Sequence, residues 1–97
     1  MRIEILDKAE DDLVAGYWFY EAQEAGLGKY FLESLSSDIE SLKLHGGIHR
    51  QAFRDFHRML SRRFPFAIFY KTRDDVAYVH AIVDCRRRPS WIRTHLQ

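Results

Sequence analysis

The sequence predicts an α+β domain of order β-α-α-β-β-β with a basic tail, a helical hairpin packing on one face of a mainly antiparallel sheet. Three observations predict it. Arg62 to Pro89 contains two apolar runs of strand length, Phe66–Tyr70 and Val76–Val83, joined through Asp74-Asp75. The first half contains two amphipathic segments joined only by Gly26-Leu27-Gly28, which makes them antiparallel neighbours. A strand pair this apolar cannot stand alone in water, so the helices are its cover.

Taken in order, Arg2 to Leu6 alternates polar and apolar residues, with Ile3 and Ile5 on one side, and predicts a short strand. Asp7 is placed as an N-cap, with Glu10 completing a D-x-x-E form of the capping box. The helix it opens is expected to run to about Ala25 and end at Gly26 as a C′ residue. Leu13, Val14, Tyr17, Trp18 and Glu21 share one of its faces, the one expected to meet the core. In a second helix, about Gly28 to Leu44, the residues Leu27, Phe31, Leu35, Ile39 and Leu42 form an apolar stripe. His45 to His49 breaks it, and Phe53 to Arg63 alternates as one strand that Pro65 ends. After the two apolar strands, Arg86 to Gln97 is expected to form a short strand or a helical turn. The consecutive later strands pair antiparallel, and the first joins an edge in a sense the sequence leaves open.

Ninety-seven residues suffice for one domain, 1–97, with a single core. A chain 46% hydrophobic and 30% charged is ordinary globular composition, which excludes a disordered segment. No run approaches a membrane-spanning length and the first residues lack an apolar signal core, so no membrane association is expected. The lone Cys85 excludes an internal disulfide and fits a reducing compartment, the cytoplasm. Charge is divided unevenly. Residues 1–48 carry four Lys/Arg against ten Asp/Glu, and residues 49–97 carry eleven against four. Ten of those eleven are arginines, which suit bidentate contacts to phosphate or carboxylate. Either acidic helices compensate a basic sheet, or the sheet presents a basic surface to nucleic acid or an acidic protein.

Arg58, Arg62, Arg63, Arg86, Arg87, Arg88 and Arg93 come from neighbouring strands and the tail, and are expected to gather at one end of the sheet. Guanidinium groups so placed could stabilise the charge of a phosphate undergoing cleavage, or grip an acidic partner; strand-edge protection needs only their charge. His45 and His49 have ligand-like spacing, but Gly46-Gly47 spoils helical geometry and no further ligand completes a set, so no metal and no cofactor is expected. His57 and His80 fall in strands, where general-base and half-buried structural roles compete. Cys85 is expected to pack rather than to attack. Tyr17, Trp18 and Tyr20 are expected in the core or at the helix rim. Trp91 either stacks on a base or docks on the sheet.

The chain resembles the RelE/ParE superfamily of toxins from type II toxin–antitoxin modules. The matching pieces are Trp18-Phe19-Tyr20-Glu21, Gly26-Leu27-Gly28 with Phe31, the run from Arg62-Arg63-Phe64-Pro65 to Tyr70, and Arg86-Arg87-Arg88-Pro89 followed by Trp91. They occur in family order across nearly the whole chain. The resemblance implies a cytoplasmic growth-inhibiting, plasmid-stabilising toxin held inactive by a cognate antitoxin, as a homodimer or a heterotetramer with that antitoxin. Within the family, RelE-like members cleave mRNA on the ribosome and ParE-like members poison DNA gyrase. This chain leans to the ParE-like side. Arg58 matches one basic place of the ribonucleases, but Leu60 and Ala67 stand where others are expected, no Tyr follows Tyr78, and Asp84 replaces a His common before the arginine run. Arg58, Arg62, Arg63, Arg86, Arg87 and Trp91 are the expected target or antitoxin contacts. If the protein is a ribonuclease, Arg62, His80 and Arg87 are its acid–base set. A binding module for nucleic acid without toxicity is the reading of another class.

Overall fold

The computed structural model describes residues 1–97. The elements are β1 (Arg2–Ile5), α1 (Asp7–Glu21), α2 (Leu27–Glu40), α3 (Leu42–His45), β2 (Gln51–Phe53), β3 (Phe56–Leu60), β4 (Phe66–Arg73), β5 (Val76–Asp84) and α4 (Pro89–His95). They form one five-stranded sheet of order β1-β5-β4-β3-β2. β1 runs parallel to β5 at the edge, and the other pairings are antiparallel. The α+β class and the mainly antiparallel sheet are as expected, and the open question of β1 resolves to a parallel edge.

β4 and β5 join through Asp74-Asp75, both in the left-handed region at φ 53° and 62°. This is a tight two-residue hairpin between the paired Arg73 and Val76, and Asp tolerates its backbone better than most residues. Farther along, the pairing slips between Phe69/Tyr70 and Ala81/Val79, leaving His80 as an extra residue. The bulge changes the alternation. Val79 and Ile82 face one core while Ala81 and Val83 face the other.

There are two cores because the sheet is apolar on both faces. On one, Tyr20 of α1 and Phe31, Leu35 and Ile39 of α2 pack on Ile68, Tyr70, Val79 and Ile82. On the other, Leu96 and Ile92 cover Phe56, Phe69, Ala81 and Val83. The tail is therefore a helix that closes the second face, not a strand. Close approach of the helical hairpin requires small residues. A Cβ on Gly16 would lie 2.5 Å from the Phe31 ring, and one on Gly28 would lie 2.8 Å from the Tyr17 carbonyl oxygen.

Several boundaries differ from expectation. Asp7 is the first helical residue rather than the cap; Leu6 precedes the helix, with no side-chain cap. The buried face of α1 is Ala9, Gly16 and Tyr20, whereas Val14 and Trp18 are 55% and 63% exposed. The expected stripe was rotated because Ala9 and Gly16 lie under the sheet and Phe31 for their small size, which a count of bulky apolar residues misses. Helix α1 ends at Glu21, and Gly26 (φ 91°) serves as the N-cap of α2. The second helix stops at Glu40, where Ser41 turns its hydroxyl onto the Asp38 carbonyl and α3 begins anew. The single strand expected over Phe53–Arg63 is two strands around an Arg54-Asp55 turn, with Arg54 at φ 54°.

Candidate functional site

At the end of the β4–β5 pair, Phe66 stands opposite Asp84, and the Cys85 N–H donates to the Pro65 carbonyl at 2.8 Å. The segments Ser61–Pro65 and Asp84–Arg88 are thereby fixed side by side, which brings Arg62 and Arg63 beside Arg86, Arg87 and Arg88. Of the other two expected arginines, Arg58 lies within β3 opposite Phe69 and Arg93 lies on α4. All seven are exposed. They do not form one constellation. Arg62 turns to the helical side, where its Nε donates to Asp38 Oδ1 at 3.1 Å. Asp38 is a nearly buried carboxylate on α2 that also accepts from the Ser61 hydroxyl at 2.6 Å. Arg86 folds back on Asp84 in a bidentate pair, Nε to Oδ1 at 2.9 Å and Nη2 to Oδ2 at 2.6 Å. Those hydrogen bonds hold the Asp84 carboxyl below its ordinary range despite partial burial, and push Arg86 up. Tyr20 lies close enough to feel both charges, although burial, which raises its pKa, dominates. Asp84, at the place of the expected His, is thus the partner of Arg86. Arg63 makes no ion pair.

The three arginines that do converge are Arg58, Arg87 and Arg93. With Phe53, Cys85 and Ile92 they line a groove of about 260 Å³ between β3 and α4. None of the three has a carboxylate within ion-pairing distance. Burial pushes the Cys85 thiol up, an effect Arg58 only partly opposes. Although expected to pack, Cys85 is exposed as a residue, because it lies just beyond the last strand pair.

Trp91 carries the groove toward α1. The Arg87 guanidinium lies 4.3 Å over its ring, and His95 stacks on it at 4.7 Å. The His95 Nε2 then meets Asp12 of α1 at 2.9 Å. Asp12 is placed by the sheet itself. β1 ends too early to pair with Ile82, and the Asp12 carboxylate accepts that free N–H at 2.9 Å. Trp91, a residue of α4 and partly exposed, therefore belongs to a stack running from Arg87 to Asp12. Beside it a second hollow of about 260 Å³ is lined by Ala15, Phe19, Ile82, Asp84, Arg87 and Trp91. Exposed Phe19 and Trp18 border this side of the molecule.

His80 lies elsewhere, on the bulge of β5 against Phe56 at 5.1 Å, and burial lowers its pKa, with Lys71 adding to the effect. No cavity contains more than one of Arg62, His80 and Arg87. His45 and His49 form no metal cluster. His49 instead ties the loop after α3 to buried Tyr70. Gly47 N–H donates to the Tyr70 oxygen at 3.0 Å, the Tyr70 O–H is left to donate to His49 Nδ1, and His57 Nδ1 donates to the His49 carbonyl at 2.7 Å. Sequence reasoning missed Asp12, His95 and the hydrogen-bonding role of Glu21, whose carboxylate accepts the N–H groups of Gly26 and Gly28 at 3.1 and 2.9 Å. Nothing in local spacing marks Asp12 or His95, since their partners lie 70 and 83 residues away. Glu21 could have been found from the helix start that follows it.

No protein-family model matches the sequence, and no curated protein matches it. Solved structures do match. A chain of the chromosomal ParDE TA system from P. aeruginosa superposes with a TM-score of 0.80 at 15% identity, over 87% of this chain and 95% of that one. The isolated E. coli RelE toxin superposes with a TM-score of 0.63 at 13% identity, over 96% of this chain and 93% of that one. The chain has the RelE/ParE fold, with the higher similarity on the ParDE side.

Proposed function

We propose that this protein is the toxin of a type II toxin–antitoxin module, ParE-like, acting in the cytoplasm by inhibiting DNA gyrase and neutralised by a cognate antitoxin. The observation that carries the reading is the distribution of the basic residues on this fold. Arg58, Arg87 and Arg93 converge, unpaired, in an open groove beside Trp91, while Arg62 and His80 lie apart from it. That is the arrangement of a contact surface, where exposed guanidinium groups and an aromatic anchor serve recognition. It lacks an acid and a base within reach of one scissile phosphate. The greater similarity to the ParDE chain supports the same branch. An acidic antitoxin segment fits the groove by charge, and Arg63 and Arg88, which make no ion pair, extend the positive surface beyond it, whereas Arg86 is held by Asp84.

The experiment is induced expression with and without the neighbouring reading frame of antitoxin size. Growth arrest relieved by co-expression supports the toxin reading. A soluble, folded protein that arrests nothing and binds nucleic acid with a steep salt dependence would instead make it a binding module. The RelE-like alternative, a ribosome-dependent endoribonuclease, has the lower-scoring neighbour behind it. It requires Arg62, His80 and Arg87 to act together although no cavity holds two of them.

A further inference from the structure

A cavity of about 350 Å³ lies at the C-terminal end of α4, meeting the arginine groove at Leu96, and is lined by Leu6, Lys8, Arg54, Phe56, Lys71, His80, His95, Leu96 and Gln97. Five of these are basic side chains, and they come from five separate parts of the chain: α1, the β2–β3 turn, β4, β5 and α4. An adjoining hollow shares Leu6, Lys71 and His80 and adds Arg73 together with the Asp55 carboxylate. Lys8, Arg54 and Arg73 have no carboxylate within ion-pairing distance, whereas Lys71 meets Asp55 at 3.2 Å and His95 meets Asp12 at 2.9 Å. Asp55 is itself 69% exposed, so its hold on Lys71 is that of a surface pair and weak. Apolar Leu6, Phe56 and Leu96 complete the walls. A concave site of one charge sign with low-dielectric walls concentrates its field on a counter-ion.

We propose that this cavity binds a phosphate group, free or carried on a small molecule, with Lys8, Arg54 and Lys71 as charged donors and the His80 ring in its lining. Several donors converging from different elements are what a tetrahedral oxyanion requires, and charge-assisted hydrogen bonds are the strong ones. The electrostatics of His80 agree. Burial lowers its pKa first and Lys71 lowers it further, Asp55 opposes them, and Lys8 adds the smallest lowering effect, so an anion seated among them would reverse part of that depression. The site is independent of the toxin reading, because it shares no residue with the arginine groove except Leu96.

The test is titration of the full chain with inorganic phosphate, and separately with a nucleoside 5′-monophosphate, at constant ionic strength, followed by backbone and histidine NMR. Saturable shifts confined to Lys8, Arg54, Lys71 and His80, with a rise in the His80 pKa at saturation, are the expected result. Both Arg54→Gln and Lys71→Gln should weaken binding roughly tenfold or more, one charged hydrogen bond each. Lys71→Arg, which keeps the charge, should retain most of it. If the nucleotide binds more tightly than phosphate, the ligand is a phosphate ester; if equally, it is the free anion. Shifts spread over Arg58, Arg87 and Arg93 that track ionic strength would overturn the proposal, as would unchanged binding in both glutamine variants. A short single-stranded RNA shifting this site and the arginine groove together, with no response to the two small probes, would also overturn it.

Discussion

Arg62 and Arg86 each stand beside a second arginine in the sequence, and each is bound to a carboxylate, yet they answer different needs. Arg62 neutralises Asp38, whose side chain is 5% exposed on α2, so its removal strands a buried charge. Because the guanidinium itself is largely in water, Arg62→Ala is expected to cost about 1–2 kcal/mol rather than a full buried-pair penalty, read from urea unfolding with unchanged slope. If the proposed toxin reading holds, the same variant at permissive temperature should still arrest growth. A complete loss of toxicity without loss of stability would return Arg62 to the catalytic role. Tyr70, with no exposed surface, is held by Gly47 and His49. Burial lowers the His49 pKa, with His57 and His45 adding to the effect, and burial likewise lowers that of His80. For a histidine whose folded pKa is depressed, the unfolded chain binds more protons, so stability rises with pH across that interval. The contribution is therefore full above the ordinary histidine value near ~6.5 and is lost as pH falls through the depressed folded values. Thermal unfolding should move to lower temperature below about pH 6.5, and Tyr70→Phe, which leaves His49 and Gly47 without their partner, should cost about 1–3 kcal/mol at pH 7.5 and flatten that dependence.

Among the elements, those with strong local signals were legible. The β4–β5 pair follows from its apolar runs and the Asp74-Asp75 turn, and the stripe of α2 from Phe31, Leu35 and Ile39, all buried. What escaped were features set by distant partners. The face of α1 is chosen by where Gly16 must admit Phe31, so the bulky Val14 and Trp18 point outward. The identity of α4 as a helix rests on the second apolar face of the sheet, which Ile92 and Leu96 cover. At the site, the placing of Arg62 and Arg63 beside Arg86 and Arg87 followed from strand order. The separation of the arginines into paired Arg62 and Arg86 and unpaired Arg58, Arg87 and Arg93 did not, because it depends on Asp38 and Asp84. The start of α2 gives an element-level prediction. Glu21 satisfies two N–H groups there, so Glu21→Ala should cost about 0.5–2 kcal/mol, the range of a lost N-terminal cap. Hydrogen exchange should show the loss first in the amides of Gly26, Gly28 and Lys29. An unaltered exchange pattern would mean that Gly26, at φ 91°, sets the turn alone.

For the molecule as a whole, the uneven charge of the sequence acquires a spatial meaning. The acidic half forms the helical layer, which uses Asp12 and Asp38 to hold the basic half in place. The remaining arginines open to solvent beside α4, and an exposed apolar strip of Val14, Trp18 and Phe19 lies along α1. The proposed toxin reading requires a stable scaffold and a presented surface, and it rests on these two features. The decisive measurement is a pair of assays on the purified protein: gyrase supercoiling with detection of cleaved-complex DNA, and ribosome-dependent cleavage of mRNA. The ParE-like reading predicts stabilised gyrase–DNA complexes and intact mRNA, with the gyrase effect reduced in an Arg58→Ala/Arg87→Ala double variant that still folds. Cut mRNA with unaffected gyrase would contradict it and make the protein a ribonuclease of the RelE type.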